Sequence, residues 1–166
     1  MHRLFNRSPI FPHFISPHKK GVKTAAADDR LNMLKLAIEK IEYYDWSDIE
    51  IKAESVSYTV ETLRYFKKKF DHLELIIGYD NLLKFDTWKE PDEIIKRAAL
   101  VVMRRNNANE PGTKNKYFES AVFVDSPVIE ISSSGIRERI ANNLPIDFLV
   151  PSKVSKYIRD NNLYKE

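Results

Sequence analysis

Residues 73–103 read LELIIGYDNLLKFDTWKEPDEIIKRAALVVM, and the fold class turns on this stretch. Residues 73–77 are a short apolar run, as a buried strand requires. The run stops at Gly78-Tyr79-Asp80, a loop signal, and residues 81–85 suit a helical turn. Residues 91–98 read as a helix with Pro91 near its first position, where a missing N–H costs nothing. Residues 100–103 form a second apolar run, rich in β-branched side chains. Short buried strands separated by helices imply parallel βαβ units. In open sheets of that kind ligands sit at the carboxyl ends of the strands. That directs attention to Gly78-Tyr79-Asp80, to Arg104 and to the turn after Ile131.

The alternation extends in both directions. Upstream, Asp28 and Asp29 favour a helix start by charge, and Leu31, Leu34, Ala37, Ile38 and Ile41 recur at helical spacing. Residues 48–53 alternate polar and apolar, as a half-buried strand would, with Ile49 and Ile51 on one face. Ser57 is suited to cap the next helix, whose buried stripe is Val60, Leu63, Phe66 and Phe70. Downstream, residues 105–116 are a polar surface loop. Residues 121–124 and 128–131 read as strands, and residues 133–142 as a helix. Residues 151–161 form a last helix with Val154, Tyr157 and Ile158 inward.

Bulk properties narrow the function classes. The chain has 166 residues, no cysteine and a net charge of +3. Its length suits one domain, residues 1–166, with an atypical N-terminal stretch over 1–20. Without cysteine there is no disulfide framework and no thiolate nucleophile or metal ligand, which fits a cytoplasmic setting. The mild positive charge suits an anionic substrate and is too dispersed to imply nucleic acid. Lys67-Lys68-Lys69 reads as a solvated helix face. No apolar run approaches the roughly 20 residues that would span a membrane. Residues 1–27 hold no Asp or Glu, yet Pro9, Pro12 and Pro17 break any continuous amphipathic helix there, which argues against a transit peptide.

Four features are suited to chemistry. The sharpest is Ile131-Ser132-Ser133-Ser134-Gly135-Ile136-Arg137, between a strand pattern and an amphipathic helix. The first N–H groups of a helix lack internal partners and, with the helix dipole, attract anions. Three hydroxyls add donors, and Arg137 stands one turn on, where its fork grips phosphate oxygens in two places. A serine cap and an arginine paired to Glu138 would be the purely structural reading of the same residues. The second feature is Gly78-Tyr79-Asp80 with Trp88 eight residues after the aspartate. The glycine admits a ligand to the backbone, the carboxylate accepts from ribose hydroxyls, and the indole stacks on a planar ring or simply fills core. The third is Ser16-Pro17-His18-Lys19-Lys20, cations and a histidine on a proline-stiffened loop. The fourth is Ser57-Tyr58-Thr59 at a helix start, a cap in either case and a place for a carboxylate beside a free N–H. His2, His13, His18 and His72 are scattered, so no histidine-based metal site is expected.

In order, SPHK, SYT with Thr62-Leu63, GYD with Trp88, VVMRR, ISSSGIR, Leu149-Val150-Pro151 and a terminal YI…LY strongly resemble the bacterial nicotinate-nucleotide adenylyltransferases, from about Phe11 to the C-terminus. Each motif is short, and it is their shared order that is specific. The resemblance implies a Rossmann-like nucleotidyltransferase α/β fold, with a mostly parallel sheet and flanking helices. It implies that Ser132, Ser133, Ser134 and Arg137 hold ATP phosphates, with His18 and Lys19 near them. It further implies Asp80 at a ribose, Arg104 or Arg105 along the nucleotide, Trp88 on the pyridine ring and the Thr59 backbone at the nicotinate carboxylate. Ser134 replaces the threonine usual in the family and keeps the hydroxyl.

The departure from the family lies in front. Its members begin with a strand, a G-G-T-F-D-P turn and H-x-G-H, whose histidines face the reacting phosphate. Residues 1–16 contain no glycine, so neither motif has a place there, and residues 10–14 correspond to the tail of the second strand. The expectation is a fold without its first strand, from a start placed too late, a truncated gene or a natural short form. The function implied is adenylyl transfer from ATP to nicotinate mononucleotide in NAD biosynthesis, with magnesium accompanying ATP, impaired in this polypeptide for want of H-x-G-H. The alternative is a catalytically inactive nucleotide-binding remnant. Neither nucleic acid nor a membrane is an expected partner. Homo-oligomerisation and the choice between nicotinate and nicotinamide stay open at this point.

Overall fold

The computed structural model describes residues 8–14, 24–105, 114–127 and 129–165, with Arg105 described in its backbone alone. Its first half runs β1 (Ser8–Ile10), α1 (Ala27–Ile38), β2 (Tyr44–Trp46), α2 (Ile49–Lys52), α3 (Thr59–Lys67), β3 (Glu74–Gly78) and α4 (Tyr79–Leu83). A 3-10 turn at Phe85–Thr87 leads to α5 (Pro91–Arg97) and β4 (Ala99–Arg105). A second 3-10 turn at Lys116–Ser120 precedes β5 (Ala121–Ser126), α6 (Ser133–Ala141) and α7 (Ser152–Asp160). The chain gathers into two compact units, residues 58–129 and the remainder on either side of them.

In the unit of residues 58–129 the strands lie in the order β3-β4-β5, all parallel. Leu75 pairs with Leu100 and Val102 with Phe123. Two helices separate β3 from β4 along the chain, the crossover that parallel neighbours need. Pro91 is the first residue of α5, where proline is tolerated. Val60, Leu63, Ile77, Leu82, Phe85, Ile94, Leu100 and Val102 are buried together as one core. Asn115 closes this core from outside. Its Nδ2 donates to the Leu82 carbonyl at 2.7 Å, and its Oδ1 accepts the Tyr117 N–H at 3.1 Å.

The other unit holds β1 and β2, parallel with Ser8 opposite Tyr44. Ile140, Ile146, Val154 and Ile158 form its core, with Met33, Leu36 and Ala37 of α1 packed on it. Tyr157 fixes α7 to α1, donating to Asp29 at 2.9 Å and accepting from Asn32 at 3.1 Å. The α/β reading with parallel strands therefore holds, and the helices after β3, before β4 and at 133–142 lie close to where their patterns put them.

Several local expectations are corrected. Residues 48–53 are not a strand: Ile49–Lys52 form α2, and the strand of this region is β2. Glu50, which an alternating strand would expose, is 7% exposed and its carboxylate meets His13 Nδ1 at 2.8 Å. Ser57 does not cap α3. Its Oγ accepts the Phe14 N–H at 3.1 Å, and the N-cap is Tyr58, with no side-chain cap bond. Phe70 lies past the end of α3 and is 53% exposed, stacked on Phe66. Residues 129–131 form no strand, and Val128 lies outside the described residues. Ile129 and Ile131 are exposed.

Candidate functional site

The helix α6 opens on the serine triplet. Ser132 is the N-cap with extended backbone, and its Oγ accepts the Gly135 N–H at 3.1 Å. The Oγ atoms of Ser132 and Ser134 are 3.2 Å apart. A Cβ on Gly135 would come within 3.2 Å of Ser132 Oγ, so glycine leaves the cap its room. Ser133 and Ser134 are exposed, and their N–H groups belong to the first turn, without internal partners. Arg137, one turn on, makes no hydrogen bond or ion pair among the described residues, and Glu138 does not hold it. Its charge is felt by Tyr164, whose hydroxyl burial pushes above the ordinary tyrosine range while Arg137 works against that rise. A helix start with donors facing out and an arginine held by no carboxylate is built to receive an anion.

In the other unit the strand ends carry the remaining residues. Gly78 ends β3 and is the N-cap of α4 at φ −80°. Neither that conformation nor packing calls for glycine, since the nearest atom to an added Cβ is Asn81 Nδ2 at 4.0 Å. The space beside the backbone there is open to a ligand. Asp80 is exposed in the first turn of α4 and has no partner among the described residues. Trp88 ends the 3-10 turn, its N–H donating to the Phe85 carbonyl at 3.1 Å. Its ring lies 5.0 Å from that of Phe85, so part of the indole is core. Thr59 is the first residue of α3 and follows an N-cap without a side-chain bond.

Arg104 stands near the carboxyl end of β4. Its guanidinium lies 4.9 Å from the centre of the Phe123 ring. Its Nε comes within 3.4 Å of Asp125 Oδ1 but is buried without a hydrogen bond. Arg104 lines a cavity of about 280 Å³ with Lys114, Phe118, Glu119 and Phe123. Its lining thus combines two cations, one carboxylate and two phenyl rings, with Arg104 set over Phe123 and Lys114 over Phe118. Lys114, Phe118 and Phe123 escaped the sequence reading, although a lysine and two aromatics close to a strand-end arginine are a signal that could have been followed. Arg105's side chain, His18 and Lys19 lie outside the described residues. Ser132, Ser133, Ser134 and Arg137 thus share one helix, while Thr59, Asp80, Trp88 and Arg104 belong to residues 58–129. Among the described residues, no three His, Asp or Glu side chains are grouped to hold a metal ion, and no helix is long and apolar enough to cross a membrane.

A cytidylyltransferase-like family model matches residues 2–139. A Borrelia garinii subsp. bavariensis protein named "Probable nicotinate-nucleotide adenylyltransferase" is 40% identical over 89% of this chain and 74% of its own length. This chain belongs to the nicotinate-nucleotide adenylyltransferase family. A Caldicellulosiruptor bescii protein of the same name is 37% identical over 93% of this chain and 81% of its own. Among solved structures, the Plasmodium falciparum nicotinic acid mononucleotide adenylyltransferase complexed with NaAD covers 96% of this chain and 82% of its own, with a TM-score of 0.72 at 16% identity. That likeness is one of fold: Rossmann-type, with parallel strands and flanking helices. The adenylyltransferase family is one of nucleotidyltransferases serving NAD biosynthesis.

Proposed function

We propose that this protein acts in NAD biosynthesis, with ATP and nicotinate mononucleotide as its two ligands. In the reaction a phosphate oxygen of the mononucleotide attacks the α-phosphorus of ATP. The bond from that phosphorus to the bridging oxygen breaks, and pyrophosphate leaves with its electrons. Ser132, Ser133 and Ser134 with the first N–H groups of α6 would hold the ATP phosphates, Arg137 bidentate beside them. Asp80 would accept from a ribose, Arg104 would line the nucleotide, and His18 and Lys19 would add charge near the phosphates. Trp88 would stack on the pyridine ring, and the uncapped start of α3 at Thr59 would receive the carboxylate. Magnesium would arrive on ATP as part of that substrate and offset its charge. A cytoplasmic location goes with this reading.

The observation that carries it is Arg137, one turn into an anion-suited helix start and matched to no acid among the described residues. The observation that favours a second reading is the absence of any H-x-G-H from these 166 residues. Groups of that kind stabilise charge in the transition state, so a polypeptide of this sequence is expected to bind its nucleotides and turn them over poorly. Binding without turnover would make it a catalytically inactive nucleotide-binding remnant. Calorimetry with ATP, followed by a pyrophosphate-release assay with nicotinate mononucleotide, separates the two. Release at rates ordinary for enzymes (roughly 1–1,000 s⁻¹) would overturn the impairment. Absence of ATP binding would overturn both readings.

A further inference from the structure

Trp88 is followed at once by two charged residues, Lys89 and Glu90, and both are tied to α3. Lys89 Nζ lies 3.1 Å from Glu61 Oε1 and 4.6 Å from the centre of the Tyr58 ring. Arg64 Nη1 meets the same Glu61 oxygen at 2.9 Å, and Arg64 Nη2 meets Glu90 Oε2 at 2.5 Å. Glu61 and Arg64 sit in the first two turns of α3, which Thr59 begins. Two acids and two bases therefore alternate across a narrow gap, with one glutamate shared by both cations. Glu90 is also the N-cap of α5 in left-handed backbone at φ 52°. A non-glycine residue held there is strained and persists only where its surroundings fix it.

We infer that Glu61, Arg64, Lys89 and Glu90 form an ionic clamp that sets the spacing between the Trp88 ring and the first N–H groups of α3. The inference rests on the reading of Trp88 and Thr59 as the nicotinate subsite. One side of the indole leans on Phe85, so the backbone at 88–90 decides where its other side faces. Pairs this exposed add little stability. Their effect is geometric. A ring that stacks and an N–H that binds a carboxylate must be held at one separation to act together, and the clamp joins the elements carrying them. These four are positioning residues, acting through Trp88 and Thr59 rather than on the ligand.

The test uses the full chain with Trp46→Phe, which leaves Trp88 as the single indole. Emission is followed during titration with nicotinate mononucleotide, and acrylamide quenching is measured on the free protein. Glu61→Lys and Lys89→Glu each bring like charges together. Each is expected to weaken mononucleotide binding about threefold to tenfold, to make Trp88 more accessible to acrylamide, and to leave ATP affinity within about twofold. The combined exchange Glu61→Lys/Lys89→Glu restores opposite charges between positions 61 and 89 but leaves a cation against Arg64, so it is expected to recover only part of both losses and to bind better than the worse single. High salt on the parent should raise Trp88 accessibility in the same direction. If the singles bind the mononucleotide as the parent does, or if the exchange is as weak as the worse single, the clamp is wrong while the subsite stands. If the parent's emission does not respond to the mononucleotide, the subsite reading falls and the clamp's role in recognition falls with it. Acrylamide quenching unchanged by either single would also remove the clamp.

Discussion

Ser132 Oγ accepts the N–H of Gly135 at 3.1 Å, so the first serine of the triplet closes the helix that it opens. The same hydroxyl keeps its own O–H to donate, and Ser134 Oγ is 3.2 Å away. Cap and anion grip are thus compatible in one side chain. Removing it tests which role dominates.

Ser132→Ala should cost about 1 kcal/mol of stability, the usual worth of an N-cap. Gly135→Ala alone should change stability little, because better helix propensity is offset by a Cβ crowding Ser132 Oγ at 3.2 Å. In the Ser132→Ala background that crowding is gone, and Gly135→Ala should stabilise by roughly 0.5–1 kcal/mol. Denaturant unfolding of the four proteins checks the cycle; additive effects would contradict it.

Arg137→Lys should weaken ATP about tenfold to a hundredfold, since a fork on two oxygens becomes a single point charge. Its unfolding curve should overlay the parent's, because no described residue is paired with Arg137. A loss of stability with unchanged ATP affinity would make Arg137 a structural residue instead.

Gly78→Ala separates fold from ligand. With φ −80° and open space beside it, alanine is compatible with the backbone and should stabilise by about 0.4–1 kcal/mol. If a ligand approaches that backbone, nucleotide affinity falls in the same variant. Calorimetry showing unchanged affinity would move the ligand elsewhere.

Hydrogen bonds from Lys89 and then Arg64 hold the Glu61 carboxyl below the ordinary carboxylate range. A carboxyl whose folded pKa is depressed contributes stability above its unfolded pKa and loses it as pH falls through the folded value. Unfolding free energy should therefore decline as pH falls through and below the ordinary carboxylate range, about pH 4–5, and Glu61→Gln should flatten part of that slope. Parallel profiles for parent and variant would show that the pair contributes nothing.

Asn115→Ala removes a donor to the Leu82 carbonyl and an acceptor for the Tyr117 N–H. Leu82 and Tyr117 are both buried, so the loss should be about 2 kcal/mol. Asn115→Asp keeps the acceptor but sets an oxygen against the carbonyl, and thermal melts should place it no better than alanine.

The three strands of residues 58–129 were legible because their evidence is local. Apolar runs at 73–77, 100–103 and 121–124 mark strands by their own composition, although Ile76 and Met103, in runs that read as buried, stay exposed, as do Val122 and Val124, and Pro91 marks a helix start by its own geometry. The α6 start was equally plain, since cap, first-turn N–H groups and arginine all lie within six residues. Residues 48–53 failed for the opposite reason. Their alternation fits a strand, but Glu50 finds His13 from 37 positions away and is buried in a helix instead. Ser57 is a good cap by type, yet the Phe14 N–H, 43 residues distant, takes its oxygen and leaves α3 to start uncapped. The clamp around Trp88 is of the same kind, for Glu61 and Glu90 share no sequence signal. Sequence alone determined the family, the three strands of residues 58–129 and the start of α6. Tertiary structure decided which polar groups are engaged and which remain for a ligand, because a hydrogen bond is settled by what arrives in space and not by what stands beside it in the chain.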